Sequence, residues 1–139
     1  MDMEAEKNVH NAVLAAIDAR IVRSAHDCAD GGLAVALAES CIIGNLGAEI
    51  ELEKAPRASV TLFAESQSRI ILSLSADYVD KVKKIAADND VEADVIGQVG
   101  GSRLSISSDD QKLVDCEVSE LGGAWRNAIS SIMEETEVE

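Results

Sequence analysis

The amino-acid sequence predicts an α+β fold: a mixed β-sheet with helices packed against it. Apolar residues recur at helical spacing in residues 4–20, 75–89 and 121–133. Alternation of period two recurs at 48–52, 91–95, 104–106 and 114–118. Some of these alternating stretches follow one another with no helix between them, so the sheet cannot be purely parallel. With 139 residues the chain has the length of one domain and can bury roughly two-thirds of its unfolded surface.

The elements follow in order. Val9, Val13, Ala16 and Ile17 form one face of a first helix, with Glu4, Glu6, Lys7 and Asp18 elsewhere. A short apolar strand at 21–25 leads into Asp27-Cys28-Ala29-Asp30-Gly31-Gly32. Residues 33–41 then read as a helix that is apolar almost all round, and so covered on more than one side. After a turn at 44–47, Ala48, Ile50 and Leu52 alternate with Glu49 and Glu51. A loop holding Pro56 and the segment 61–66 precede a strand at 69–74.

Residues 75–89 form a surface helix with Val79, Val82, Ile85 and Ala86 inward, and with Asp77 and Asp80 ahead of Lys83 and Lys84, the order its dipole favours. Val91, Ala93 and Val95 predict a strand. Gly97, Gly100 and Gly101 interrupt before Leu104 and Ile106, and Val114, Cys116 and Val118 follow as another strand. The last helix carries the stripe Leu121, Trp125, Ala128, Ile129, Ile132 and Met133. Four glutamates in the last six residues predict a solvated tail.

Composition excludes several classes. Hydrophobic residues make up 47% and charged residues 27%, which is not a disordered composition. The net charge of −14 repels nucleic-acid phosphates, and Phe63, Tyr78 and Trp125 are too few for a base-stacking surface. The apolar stretch 33–44 is broken by Glu39 and too short to span a bilayer, so no membrane partner is expected. No basic-then-apolar leader opens the chain, which points to the cytoplasm. Cys28, Cys41 and Cys116 form no CxxC pair, and His10 and His26 do not stand at zinc-ligand spacing from them. All three read as small buried hydrophobes in a reducing compartment. Asp27 would raise the Cys28 thiol rather than activate it.

Chemistry concentrates where the first strand meets the second helix. Two adjacent glycines in a helix's first turn cost about 1 kcal/mol each against alanine, so they need a reason. Gly31 and Gly32 meet either a positive φ or a tight approach, or else a phosphate brought close to bare N–H groups. Asp30 suits a helix cap, which competes with an external anion. His26 and Asp27 lie at the carboxyl end of a strand, where ligand crevices open in α/β sheets, although a hydrogen-bonded structural histidine is the simpler reading. Glu65-Ser66-Gln67-Ser68-Arg69 is either a polar loop or a set of groups for a polyhydroxylated substrate. Gly97 to Gly101 lacks the lysine and hydroxyl of a P-loop.

These residues also carry a family resemblance. Residues 24–39, Ser24-Ala25-His26-Asp27-Cys28-Ala29-Asp30-Gly31-Gly32 and on to Glu39, resemble the glycine-rich signature of C-terminal domains in the aminoimidazole ribonucleotide synthetase-like superfamily. Within it, Leu62-Phe63-Ala64-Glu65-Ser66-Gln67-Ser68-Arg69 is similar to the matching segment of the phosphoribosylformylglycinamidine synthases. The likeness continues through Ile96 to Gly101 and Leu121 to Trp125, and so over nearly the whole chain. It implies a three-layer α/β sandwich, partly ferredoxin-like. It also implies that residues 1–139 are a single C-type domain, the second and last of a larger ATP-dependent ligase of purine biosynthesis.

In that family the ATP, Mg2+ and catalytic histidine sites lie mainly in N-type domains, so no catalytic residue, no metal ligand and no tightly held cofactor is expected on this chain. The implied partners are an N-type domain of the same polypeptide, a glutaminase subunit or domain, and a ribotide substrate. An isolated C-type domain could also self-associate through surface that its neighbour normally covers. Asp30, Gly31 and Gly32 match a loop facing the nucleotide. Glu65, Ser66 and Gln67 match a substrate-contacting segment, both in what the family's internal duplication makes a pseudo-site, with His26 and Asp27 in support. Ala29 departs from the family's serine or threonine, removing a phosphate donor.

Other readings stay open. The C-type domain also belongs to aminoimidazole ribonucleotide synthetase, selenophosphate synthetase and thiamine-monophosphate kinase, against which the Glu65 to Arg69 stretch counts. A stand-alone binding or scaffold module is favoured by the short length, Met1 and the apolar second helix.

Overall fold

A computed structural model describes residues 2–53 and 57–136, with side chains to Met133. The Pro56 loop and the end of the acidic tail lie outside the described residues. The element order is α1 (Met3–Asp18), β1 (Val22–Asp27), α2 (Gly32–Gly44), β2 (Ala48–Leu52), α3 (Ala58–Phe63), β3 (Ile70–Leu74), a 3-10 turn (Ala76–Tyr78), α4 (Val79–Asp88), β4 (Gly97–Val99), β5 (Arg103–Ser108), β6 (Gln111–Glu117) and α5 (Val118–Thr136). Helices and a mixed sheet are both present, as the patterning predicts. The strands form two sheets rather than one, β1-β3 and β4-β2-β5-β6. Contacts divide the chain into two compact units, residues 1–40 with 55–96 and residues 41–54 with 97–139.

In the first unit α1 starts where the Asp2 carboxylate accepts from the N–H groups of Glu4 and Ala5 at 3.1 Å. Glu4 and Glu6 add negative charge to the positive end of its dipole. α1 packs on α4, with Ala12 and Ala16 buried, Val9 and Val13 half-buried, and Ile17 exposed at the rim of the expected stripe. β1 and β3 run antiparallel with Asp27 opposite Ile70, and the Cys28 N–H continues the ladder to the Arg69 carbonyl at 3.0 Å. That pairing sets the glycine loop beside the segment preceding β3. α2, whose residues from Cys41 on belong to the second unit, bears out its apolar pattern: Leu33, Ala34, Ala36, Leu37, Cys41 and Ile42 are buried.

The second unit is built on β2 and β5, which pair in parallel. A parallel pair requires a long crossover, supplied here by all the chain between them. β4 and β6 flank this pair antiparallel. Ala48, Ile50, Leu52, Leu104 and Ile106 face one way and are buried. The strand expected at 91–95 is absent. The Val91 N–H instead closes the end of α4 on the Ala86 carbonyl at 2.9 Å, and Val95 is exposed. Alternation forms no strand without a ladder partner, and the free edge of β2 is taken by Gly97–Val99. Gly97 is therefore a strand residue and not an interruption. A Cβ there would run into the Glu49 carbonyl and Ile50, so only glycine permits the approach. α5 forms as expected. Val118 and Gly122 are buried, whereas Trp125 and Ile129 of the expected stripe are exposed.

Arg103 joins β5 to β6 electrostatically. Its Nε donates to Asp115 Oδ1 at 2.8 Å and its Nη1 donates to Glu117, while Lys112 Nζ donates to the other Asp115 oxygen at 2.9 Å. Hydrogen bonds from Lys112 and Arg103 hold the Asp115 carboxyl below the usual carboxylate range. Arg103 and then Ser102 do the same for Glu117. Both groups titrate lower when folded than when unfolded, so their stabilisation is complete above the ordinary carboxylate range. It is lost as the pH falls through the folded values. Arg103→Met should therefore lower the urea midpoint at pH 7, and the gap from wild type should narrow as the pH falls below the ordinary carboxylate range. A pH-independent gap would show that Arg103 acts through its alkyl stem.

Candidate functional site

A cavity of about 590 Å³ opens in the first unit. Met3, Glu6 and His10 of α1 form one side. Asp27, Cys28, Ala29 and Asp30 form another, and Glu65 to Ile70 close it. The two motifs singled out in the sequence therefore border one space. They also touch: the Gly31 N–H donates to Glu65 Oε1 at 3.0 Å, across 34 positions of sequence.

Local backbone explains the meeting. Gly31 and Gly32 have φ of +80° and +70°, the left-handed region. A Cβ on Gly32 would lie 2.8–2.9 Å from the Leu62 oxygen, the Phe63 carbonyl carbon and the Ala64 oxygen. Both structural reasons expected of a double glycine thus operate. The close approach is to the end of α3, which delivers Glu65 to the loop. On the Gly31 amide the acceptor is Glu65, from a distant segment, and not the neighbouring Asp30 expected as the cap.

Of the residues expected at a site, Asp27, Asp30, Glu65, Ser66 and Gln67 line the cavity, and Gly31 is bound to its wall. His26 does not line it. Its Nε2 lies 2.8 Å from Glu39 Oε2 and its Nδ1 lies 2.6 Å from the Asp27 carbonyl oxygen. Both nitrogens face groups that only accept, so the ring ties the end of β1 to α2 and frames the glycine loop. Cys28 is 3% exposed, and burial pushes its thiol up, opposed by Arg69 and assisted by Asp27. Burial pushes Cys41 up as well. A raised thiol is a poor nucleophile.

Sequence reasoning missed the contribution of α1. Met3, Glu6 and His10 share a helical face by spacing, but a methionine, an acid and a histidine read as an ordinary solvated face. Ser68, at φ +62°, donates its hydroxyl to Glu6 Oε2 at 2.8 Å and fastens the polar segment to α1. Glu6, Asp27, Asp30 and Glu65 set four carboxylates against Arg69 and His10 around the cavity. Among the described residues no group of three or more His, Cys, Asp or Glu is placed to hold a metal ion. No described helix is long and apolar enough to cross a membrane.

The chain is thus an α+β domain whose helix-opening glycine loop is hydrogen-bonded to a polar segment beside a cavity. The chain belongs to the family described as AIR synthase related protein, C-terminal domain, whose model matches residues 1–109. It is 44% identical over 133 residues to the phosphoribosylformylglycinamidine synthase subunit PurL of Moorella thermoacetica, an alignment covering 96% of this chain and 18% of that protein. Its fold is similar to that of a solved structure described as T. maritima PurL complexed with ATP, with a TM-score of 0.79 and 26% identity over 88% of this chain and 22% of that one. A structure of T. maritima PurL complexed with FGAR gives a TM-score of 0.76 at 25% identity, covering 84% and 21%. The chain thus spans about a fifth of the length of these relatives.

Proposed function

We propose that this chain is the second C-type domain, and the last domain, of a phosphoribosylformylglycinamidine synthase. That enzyme is the ATP-dependent ligase that converts formylglycinamide ribonucleotide and glutamine-derived ammonia to the amidine in cytoplasmic purine synthesis. The chain supplies one wall of a cleft and no catalytic group. An N-type domain of the same polypeptide supplies the opposite wall with its ATP and Mg2+, and a glutaminase subunit or domain delivers ammonia. Asp30, Gly31 and Gly32 face the nucleotide or ribotide, and Glu65, Ser66 and Gln67 form the polar floor. His26 supports this wall through Glu39 and Asp27 holds its edge. The observation that carries the reading is the hydrogen bond from Gly31 to Glu65, which joins the family's two motifs at the rim of one cavity.

The Mg2+ of the parent enzyme would serve the phosphoryl groups of ATP. This chain's part is to orient a ligand and exclude water; burial pushes the Cys28 and Cys41 thiols up, away from use as nucleophiles. The test is a transplant. The 139 residues replace the matching segment of the Moorella relative, and ADP release is followed with formylglycinamide ribonucleotide, ATP and ammonia. The chimera should turn over and the isolated chain should not. Turnover by the isolated chain, or a folded but inert chimera, would overturn the proposal.

A further inference from the structure

Gly31 and Gly32, both at positive φ, open the 13-residue α2 beside this concavity, and a helix start presents unpaired N–H groups that favour an anion. Here the concavity already has an anion of the protein's own, the Glu65 carboxylate on the Gly31 amide at 3.0 Å. Glu65 is not buried, so it can swing away without unfolding the chain. The close approach of Gly32 to residues 62–64 nevertheless keeps it within reach. We infer that Glu65 is a specificity-determining residue of the cleft, an internal stand-in for phosphate that makes the glycine loop refuse phosphoryl oxygens. The cleft then engages its ligand at this wall through donor groups, hydroxyl and amide N–H. The inference deepens the proposed function and rests on the cavity being part of the ribotide cleft.

A phosphoryl group arriving at the loop has to displace one charge-assisted hydrogen bond, worth roughly tenfold in an equilibrium constant. It also meets Asp27 and Asp30 from the loop and Glu6 from α1, with Arg69 as the opposing cation. A ligand presenting hydroxyl or amide hydrogens meets acceptors instead. Glu65→Ala removes the occupant and its charge. Glu65→Gln keeps an acceptor oxygen for Gly31, and with it the local structure, but discards the charge.

The test is an amide NMR titration of the full chain with inorganic phosphate, followed at Gly31 and Gly32. Wild type should show no saturable shift at either amide. Glu65→Ala should bind phosphate at least tenfold more tightly, and Glu65→Gln should fall between the two. Saturable phosphate binding at these amides in wild type, or a folded Glu65→Ala with no gain, overturns the inference. If Glu65→Ala does not fold, Glu65→Gln decides alone, and a Glu65→Gln indistinguishable from wild type overturns it. The titration needs no turnover, so an inert transplant with the expected phosphate result would sink the family-level function and leave this inference standing.

Discussion

Gly32→Ala is expected to remove about 3–5 kcal/mol of folding stability, a large share of the total for a domain of this size. A left-handed alanine costs roughly 1–2 kcal/mol by itself. The rest comes from the 2.8–2.9 Å approaches of its Cβ to three backbone atoms of residues 62–64. None of those atoms can rotate out of the way, so either the loop or the end of α3 must shift. The shift would also withdraw Glu65 from Gly31 and separate the two motifs. Gly44→Ala is the control. It also lies in α2, has open space around its Cβ, and should leave stability unchanged or raise it by up to about 1 kcal/mol. Urea unfolding followed by circular dichroism measures both. With a slope of about 1–3 kcal/mol/M, the Gly32→Ala midpoint should fall by more than about 1 M. A midpoint equal to that of Gly44→Ala would mean the loop is not clamped against α3.

How far the site was legible follows from the range of each interaction. The double glycine announced an unusual backbone, because a helix start tolerates such a pair only for cause, and both φ values are positive. Helical stripes placed α1 and α4, and alternation placed β2, β5 and β6, because 3.6- and 2-residue periods are written locally. What was not legible is non-local. Val91 to Val95 alternates as well as Ala48 to Leu52 does, yet lacks a ladder partner, and nothing in those five residues says so. The division into two sheets is likewise a pairing fact: β1 chose β3, and β2 chose β5 and β4. Within the site, Glu65 and Gly31 were separately conspicuous but their bond spans 34 positions. Glu6, meeting Ser68 across 62 positions, carried no signal at all.

Ile106→Ala should cost about 2–5 kcal/mol, the second large effect. Ile106 is 0% exposed and sits on β5, with Ile50 beside it on the parallel strand and Val114 on the antiparallel one. A side chain enclosed by two neighbouring strands leaves a void that their backbones, held by the ladder, cannot close. Ile106→Val deletes one methylene group and should cost only about 0.5–1.5 kcal/mol. Val99→Ala, on edge strand β4 at 61% exposure, should stay within about 0.5 kcal/mol. The three together separate burial from strand propensity, since Ile106→Val keeps the β-branch at a buried site while Val99→Ala removes it at an exposed one. If loss of propensity dominated, Val99→Ala and Ile106→Val would rank in the reverse order. Thermal unfolding reads the ranking directly, with each kcal/mol worth roughly 3–6 °C in a chain of this length. An Ile106→Ala melting point within 3 °C of wild type would show that the β2-β5-β6 face is not the core of its unit.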